Sequence, residues 1–112
     1  MRISICHCLE CQKRTGSVFA AQARFPADQV TIEGQASTWS RRGDSGDSAT
    51  FRFCATCGST VYWIPESMPD MVMVATGAFA DPAFPAPRVS VYDERQHPWT
   101  RAMAQEPMEH FS

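Results

Sequence analysis

At 112 residues the chain has room for one hydrophobic core and no second one. A hydrophobic share of 44% with 11% aromatics excludes a disordered or low-complexity segment. The net charge of −2 gives no electrostatic case for nucleic acid, and no apolar run approaches membrane-spanning length. Lys13 is the single lysine among ten basic residues. The rest are arginines, whose forked guanidinium suits carboxylates better. Met1-Arg2-Ile3-Ser4 is not a secretory leader, so the five cysteines are expected in reducing cytoplasm as thiols or metal ligands.

In chain order the pattern is mostly β. Phe19–Phe25 reads as a strand that Pro26-Ala27-Asp28 turns into a second, Val30–Glu33. Gly34 breaks the pattern before a third strand at Ser37–Arg41. The polar cluster Gly43–Ser48 reads as a hairpin loop, and Thr50–Phe53 alternates with period two straight into Cys54. Thr60–Ile64 is β-branched and aromatic and stops at Pro65. Met71–Ala75 is continuously apolar and reads as a buried strand. Asp81–Pro87 carries three prolines and is loop, Val89–Tyr92 is a last strand, and the tail from Arg101 is irregular. The one helical signal is a turn or two after Cys11.

The thiols carry the chemistry. Cys8 and Cys11 have the two-residue gap that lets both sulfurs reach one tetrahedral ion, and Cys54 and Cys57 repeat it. The second pair lies between two strands, as in a zinc-ribbon hairpin, with Gly58 supplying the positive φ of a tight turn. Free backbone N–H groups there are expected to hydrogen-bond the sulfurs. Two divisions of the set stay open on spacing alone. In one, Cys8, Cys11, Cys54 and Cys57 close a structural zinc and Cys6 is a spectator. In the other, Cys6, Cys8 and Cys11 hold a zinc whose fourth position is open to substrate. Such a zinc is a weak Lewis acid but holds a soft thiol ligand well and lowers its pKa. His7, between two ligating cysteines, is expected to point away from the metal.

Gln12–Ser17 follows the first cluster directly. It reads either as a capped polar turn or as a recognition loop in which Lys13 or Arg14 meets the carboxylate of a small anionic thiol. Arg41, Arg42 and Arg52 read as solvated strand charges or, alternatively, as complements to acidic substrate groups, and Trp39, Trp63 and Trp99 as core rather than ligand platforms. Nothing in the spacing of Asp70, Asp81, Asp93 and Glu94 singles out a general acid or base.

Cys6-His7-Cys8-Leu9-Glu10-Cys11-Gln12-Lys13-Arg14-Thr15-Gly16-Ser17 and Phe53-Cys54-Ala55-Thr56-Cys57-Gly58-Ser59 together resemble the glutathione-dependent formaldehyde-activating enzyme family, which includes the centromere-protein-V-type domain. Val74–Asp81 and His97-Pro98-Trp99 extend the likeness over nearly the whole chain. The resemblance implies one domain over 1–112, a β-tent of twisted antiparallel sheets, with zinc as cofactor. It places the catalytic zinc on Cys6, Cys8 and Cys11, and a structural zinc on Cys54 and Cys57 with an upstream CxC pair. It implies addition of glutathione to formaldehyde, giving S-(hydroxymethyl)glutathione, a carbon–sulfur lyase reaction read in reverse. Lys13, Arg14, Thr15, Gly16 and Ser17 would then seat the tripeptide or another small thiol. The competing expectation is a non-catalytic interaction module with one closed four-cysteine site. The family's N-terminal CxC segment has no counterpart, since the sequence begins just before Cys6. That leaves the second zinc open and favours homodimer formation along an uncovered sheet edge.

Overall fold

The structure is a computed structural model that describes residues 1–43, 46–102 and 108–112. Its strands are β1 (Arg2–Cys6), β2 (Ala20–Pro26), β3 (Ser37–Arg42), β4 (Ser48–Phe53), β5 (Thr60–Pro65), β6 (Met71–Ala75), β7 (Val89–Val91) and β8 (Glu109–His110). Among the described residues there is a single α-helix, α1, which spans Leu9–Thr15. The mainly β expectation holds. All eight strands form one sheet in the order β3-β4-β5-β6-β2-β1-β7-β8. Every pairing from β3 across to β1 is antiparallel, whereas β7 runs parallel to both β1 and β8, so the sheet is mixed.

β1 is not evident from the sequence pattern, yet it is central, between β2 and β7. Ile3, Ser4, Ile5 and Cys6 are all buried, so no alternation marks it. Its one inward hydroxyl, Ser4 Oγ, accepts a bond from Gln22 Nε2 at 2.8 Å. Val30–Glu33 is not a strand. β2 already has β1 and β6 on its two edges, so no ladder is left for this segment to join. It runs extended instead, and Ile32 is half exposed on the rim of an apolar groove with Val61, Val72 and Phe79.

Three other expectations change in detail. β6 exists, but only Val72 in it is fully buried, and Val72 and Val74 line that groove. α1 begins at Leu9 rather than after Cys11, with Cys8 as its N-cap. The tail is not wholly irregular, because Glu109 and His110 add β8 beside Val89 and Ser90. Asp44 and Ser45 of the hairpin loop, and residues 103–107 of the tail, lie outside the described residues.

The register explains one aromatic line. Trp39 faces Phe51, and Phe51 faces Trp63. Directly paired residues share a face, so the three rings line up, each tilted on the next, across β3, β4 and β5 with centroids 5.9 Å and 5.0 Å apart. Trp63 is core, as expected, and Phe51 joins it there, whereas Trp39, also expected in the core, sits half exposed on the edge strand. Trp99 is 58% exposed in a surface 3-10 turn over Pro98–Ala102, so it is not core.

Candidate metal centre

Cys6 ends β1, Cys8 caps α1, and Cys11 lies in that helix's first turn. A strand that runs into a helix within two residues turns sharply enough to bring all three side chains together. Their sulfurs lie within 4.8 Å of one another, and all three residues are buried. Tetrahedral zinc with bonds of about 2.3 Å asks for sulfurs about 3.8 Å apart, so a slight closure suffices. A buried knot of three thiols is a donor set that can hold a soft metal ion. The N–H of Cys11 donates to Cys8 Sγ at 3.3 Å. Backbone support of sulfur, expected at the second knuckle, is found at both, since a Ser59 backbone bond also reaches Cys57.

Charge is biased toward thiolate. Bonds from the Cys6 and Cys8 thiols, and then the Arg41 guanidinium, hold the Cys11 thiol far below its ordinary value. The reciprocal bonds with Cys11 and Cys8, together with burial, push Cys6 up. One proton-poor sulfur, Cys11, thus sits beside a proton-rich one, Cys6, as expected before a cation replaces the proton.

Sequence reasoning groups Arg41 with Arg42 and Arg52, as solvated charges or as complements to an acidic substrate, and the structure separates them. Arg41 Nη2 donates to Cys11 Sγ at 3.4 Å, and its guanidinium lies 5.0 Å from the Phe51 ring centroid. Arg42, one residue on, turns to the other side and donates to the Gly46 carbonyl. The available signal was the period of two: Trp39 and Arg41 share a face, and that face carries Phe51. Arg14 comes from α1, 4.6 Å from the centroid of Phe51 and 4.7 Å from that of Trp63.

The cluster opens into a cavity of about 140 Å³ lined also by Arg41, Phe51, Trp63 and Tyr92. Phe51 also lines a larger groove of about 540 Å³, with Lys13, Arg14, Trp39, Phe53 and Gly58. A small sulfur-lined chamber therefore adjoins a ligand-sized groove. Of the expected recognition loop, Lys13 and Arg14 reach this groove. Lys13 also pairs with Glu10 at 2.8 Å. Thr15, Gly16 and Ser17 are not among its lining residues and finish the helix instead. The Thr15 hydroxyl donates to Cys11 O and accepts the Ser17 N–H, while Gly16, at φ +69°, donates to Gln12 O.

The second knuckle lies between β4 and β5, as expected, and Gly58 has φ +79°. Its N–H bonds the Cys54 carbonyl rather than a sulfur. Cys57 Sγ lies 3.2 Å from the Ser59 hydroxyl, and hydrogen bonds from the Ser59 side chain and backbone favour its thiolate and lower its pKa. Among the described residues, the metal-competent group comprises Cys6, Cys8 and Cys11 alone, and Cys54 and Cys57 stand outside it. The closed arrangement of Cys8 and Cys11 with Cys54 and Cys57 is not the one the fold assembles.

His7 points away from the sulfurs. Its Nε2 lies 3.1 Å from Ser90 Oγ, which in turn donates to Asp93, and His110 Nδ1 meets the other Asp93 oxygen at 2.7 Å. Burial lowers the pKa of His7. Gln12 carries a structural role that its place in a polar turn does not signal. Its amide donates to the carbonyls of His7 and Arg95, joining the helix to the C-terminal turns.

No helix among the described residues is long and apolar enough to cross a membrane. A search of curated proteins returned no match. The family model described as glutathione-dependent formaldehyde-activating enzyme matches residues 1–95, which include both knuckles, the helix and β1 through β7. The chain belongs to the glutathione-dependent formaldehyde-activating enzyme family.

Proposed function

We propose that the protein is a zinc-dependent carbon–sulfur lyase-type enzyme that joins glutathione, or a close thiol relative, to formaldehyde as S-(hydroxymethyl)glutathione. The observation that carries this reading is the adjacency of chamber and groove. The chamber of about 140 Å³ is too small for a tripeptide but suits a thiol and a one-carbon aldehyde. The groove of about 540 Å³ suits the rest of the tripeptide.

Cys6, Cys8 and Cys11 would hold the zinc, which when bound supplies a seat that favours a substrate thiol in its thiolate form. Phe51 and Trp63 wall the chamber and limit water around the sulfur. Lys13 and Arg14 offer cations to the tripeptide's carboxylates, while Thr15, Gly16 and Ser17 fix the helix end from which those two project. In the addition itself, the thiolate sulfur forms a bond to the aldehyde carbon, the carbonyl π pair moves to oxygen, and that oxygen takes a proton from water. The reverse expels formaldehyde. Cys54 and Cys57 are read as ligands of a second zinc that needs further donors. Reducing cytoplasm suits five free thiols, and a homodimer would pair along the exposed edge strand β3.

The test is exchange of carbon-13-labelled formaldehyde with its glutathione adduct, followed by NMR with zinc-loaded protein. Exchange faster than the spontaneous reaction is the expected result. Protein that neither binds glutathione nor speeds exchange would remove this assignment.

A further inference from the structure

Three thiolates around a divalent ion leave one net negative charge, which repels the thiolate that the proposed reaction needs there. The protein places two guanidinium groups against those sulfurs. Arg41 donates to Cys11 Sγ; burial lowers the pKa of Arg14, and the same Cys11 sulfur, within its reach, opposes that shift. Both are held on the Phe51 ring, Arg41 from β3 and Arg14 from α1. Arg41 Nη1 and Arg14 Nε are shielded from solvent and have no hydrogen-bond partner. Desolvating cations in this way costs free energy that packing alone would not require, since an apolar side chain would fill the same space. Asp47 is the acidic residue lining the chamber among the described residues, and its carboxylate accepts two bonds from Ser67.

We infer that Arg14 and Arg41 are specificity-determining residues that reverse the sign of charge at the three-cysteine cluster, so that its open side takes an anionic thiolate in preference to a neutral ligand. The inference rests on the zinc–thiol reading above and adds the means of selection. In the binding step the thiol loses its proton to solvent, and its sulfur enters as an anion beside two fixed cations.

The experiment uses the full chain loaded with cobalt(II), whose sulfur charge-transfer absorption reports each new thiolate. The probes are 2-mercaptoethanol, which has no carboxylate for an arginine to recognise, and neutral imidazole. Arg14→Gln and Arg41→Gln are each expected to weaken mercaptoethanol binding about tenfold, and more when combined, while imidazole binding stays within about twofold. Arg41→Lys keeps the charge and is expected to recover most of the loss.

Equal mercaptoethanol affinity in wild type and the double variant would overturn the inference. So would a parallel loss of imidazole binding, since the arginines would then only hold the site's shape. Glutathione in the same titration separates the two readings. If mercaptoethanol binds in the charge-dependent way and glutathione does not, the arginine inference stands and the tripeptide assignment falls.

Discussion

His97 Nε2 lies 3.0 Å from Gln12 Oε1, and through that bond the helix carrying Cys11 is fastened to the far end of the described fold. The Gln12 amide completes the fastening by donating to His7 O at 2.8 Å and Arg95 O at 3.0 Å. One side chain thus holds the residue between two proposed metal ligands, the helix itself and the turn after β7. A seven-residue helix is too short to be stable alone, so its position depends on such ties.

Gln12→Ala removes both donors and leaves the His7 carbonyl, which is partly buried, without its partner. A loss of about 1–3 kcal/mol in folding free energy is expected, measured by urea denaturation of the zinc-loaded protein. Gln12→Glu keeps the acceptor for His97 but loses both amide donors, and should recover little of the loss. Full stability in the alanine variant would show that α1 is held by the metal cluster alone.

Phe51 is the shared wall of chamber and groove, it is 2% exposed, and both arginines lie on it. Phe51→Ala is expected to cost about 3–5 kcal/mol, from lost burial and the cavity left between Trp39 and Trp63. Phe51→Leu keeps most of the volume but not the ring face, and should cost about 1–2 kcal/mol. The leucine variant separates packing from cation binding. It should stay folded by near-UV circular dichroism while binding 2-mercaptoethanol more weakly than wild type.

Gly58 carries φ +79°, and nothing lies within 4 Å of the place a Cβ would occupy, so a substitution there meets backbone strain and no clash. Gly58→Ala should therefore cost about 1–2 kcal/mol, and Gly58→Asn less, since asparagine tolerates the left-handed region. Thermal melts of the two variants check the order. Equal melts would mean that the turn between Cys54 and Thr60 relaxes to negative φ.

How much of this was legible follows from where each signal lives. The cysteine spacing, the glycine after Cys57 and the alternation of Thr50–Phe53 are local, and each turned up where the residues placed it. β1 was not legible because a central strand buried on both faces shows no period of two. Val30–Glu33 had the composition of a strand but no free sheet edge to join, which is a property of topology. Arg41 is the instructive case. Its role depends on a helix thirty residues earlier packing over the same face, and only the paired register of β3 and β4 brings the two together.

Cys6 divides the readings most sharply. In the fold its sulfur belongs to the buried group with Cys8 and Cys11, and the Cys54–Cys57 pair does not. Cys6→Ser removes one of three thiolates and substitutes a harder, poorer zinc donor. Zinc affinity at the first cluster should fall at least about 100-fold by competition with a chromogenic chelator. Cys57→Ser should leave that affinity within about threefold, because Cys57 is exposed and bonded to Ser59. Zinc K-edge absorption on Cys57→Ser protein should still show three sulfurs and one lighter atom. Four sulfurs in the wild type at one zinc per chain, lost in both variants, would instead mean a closed site that bridges the knuckles, and the chain would be a structural module.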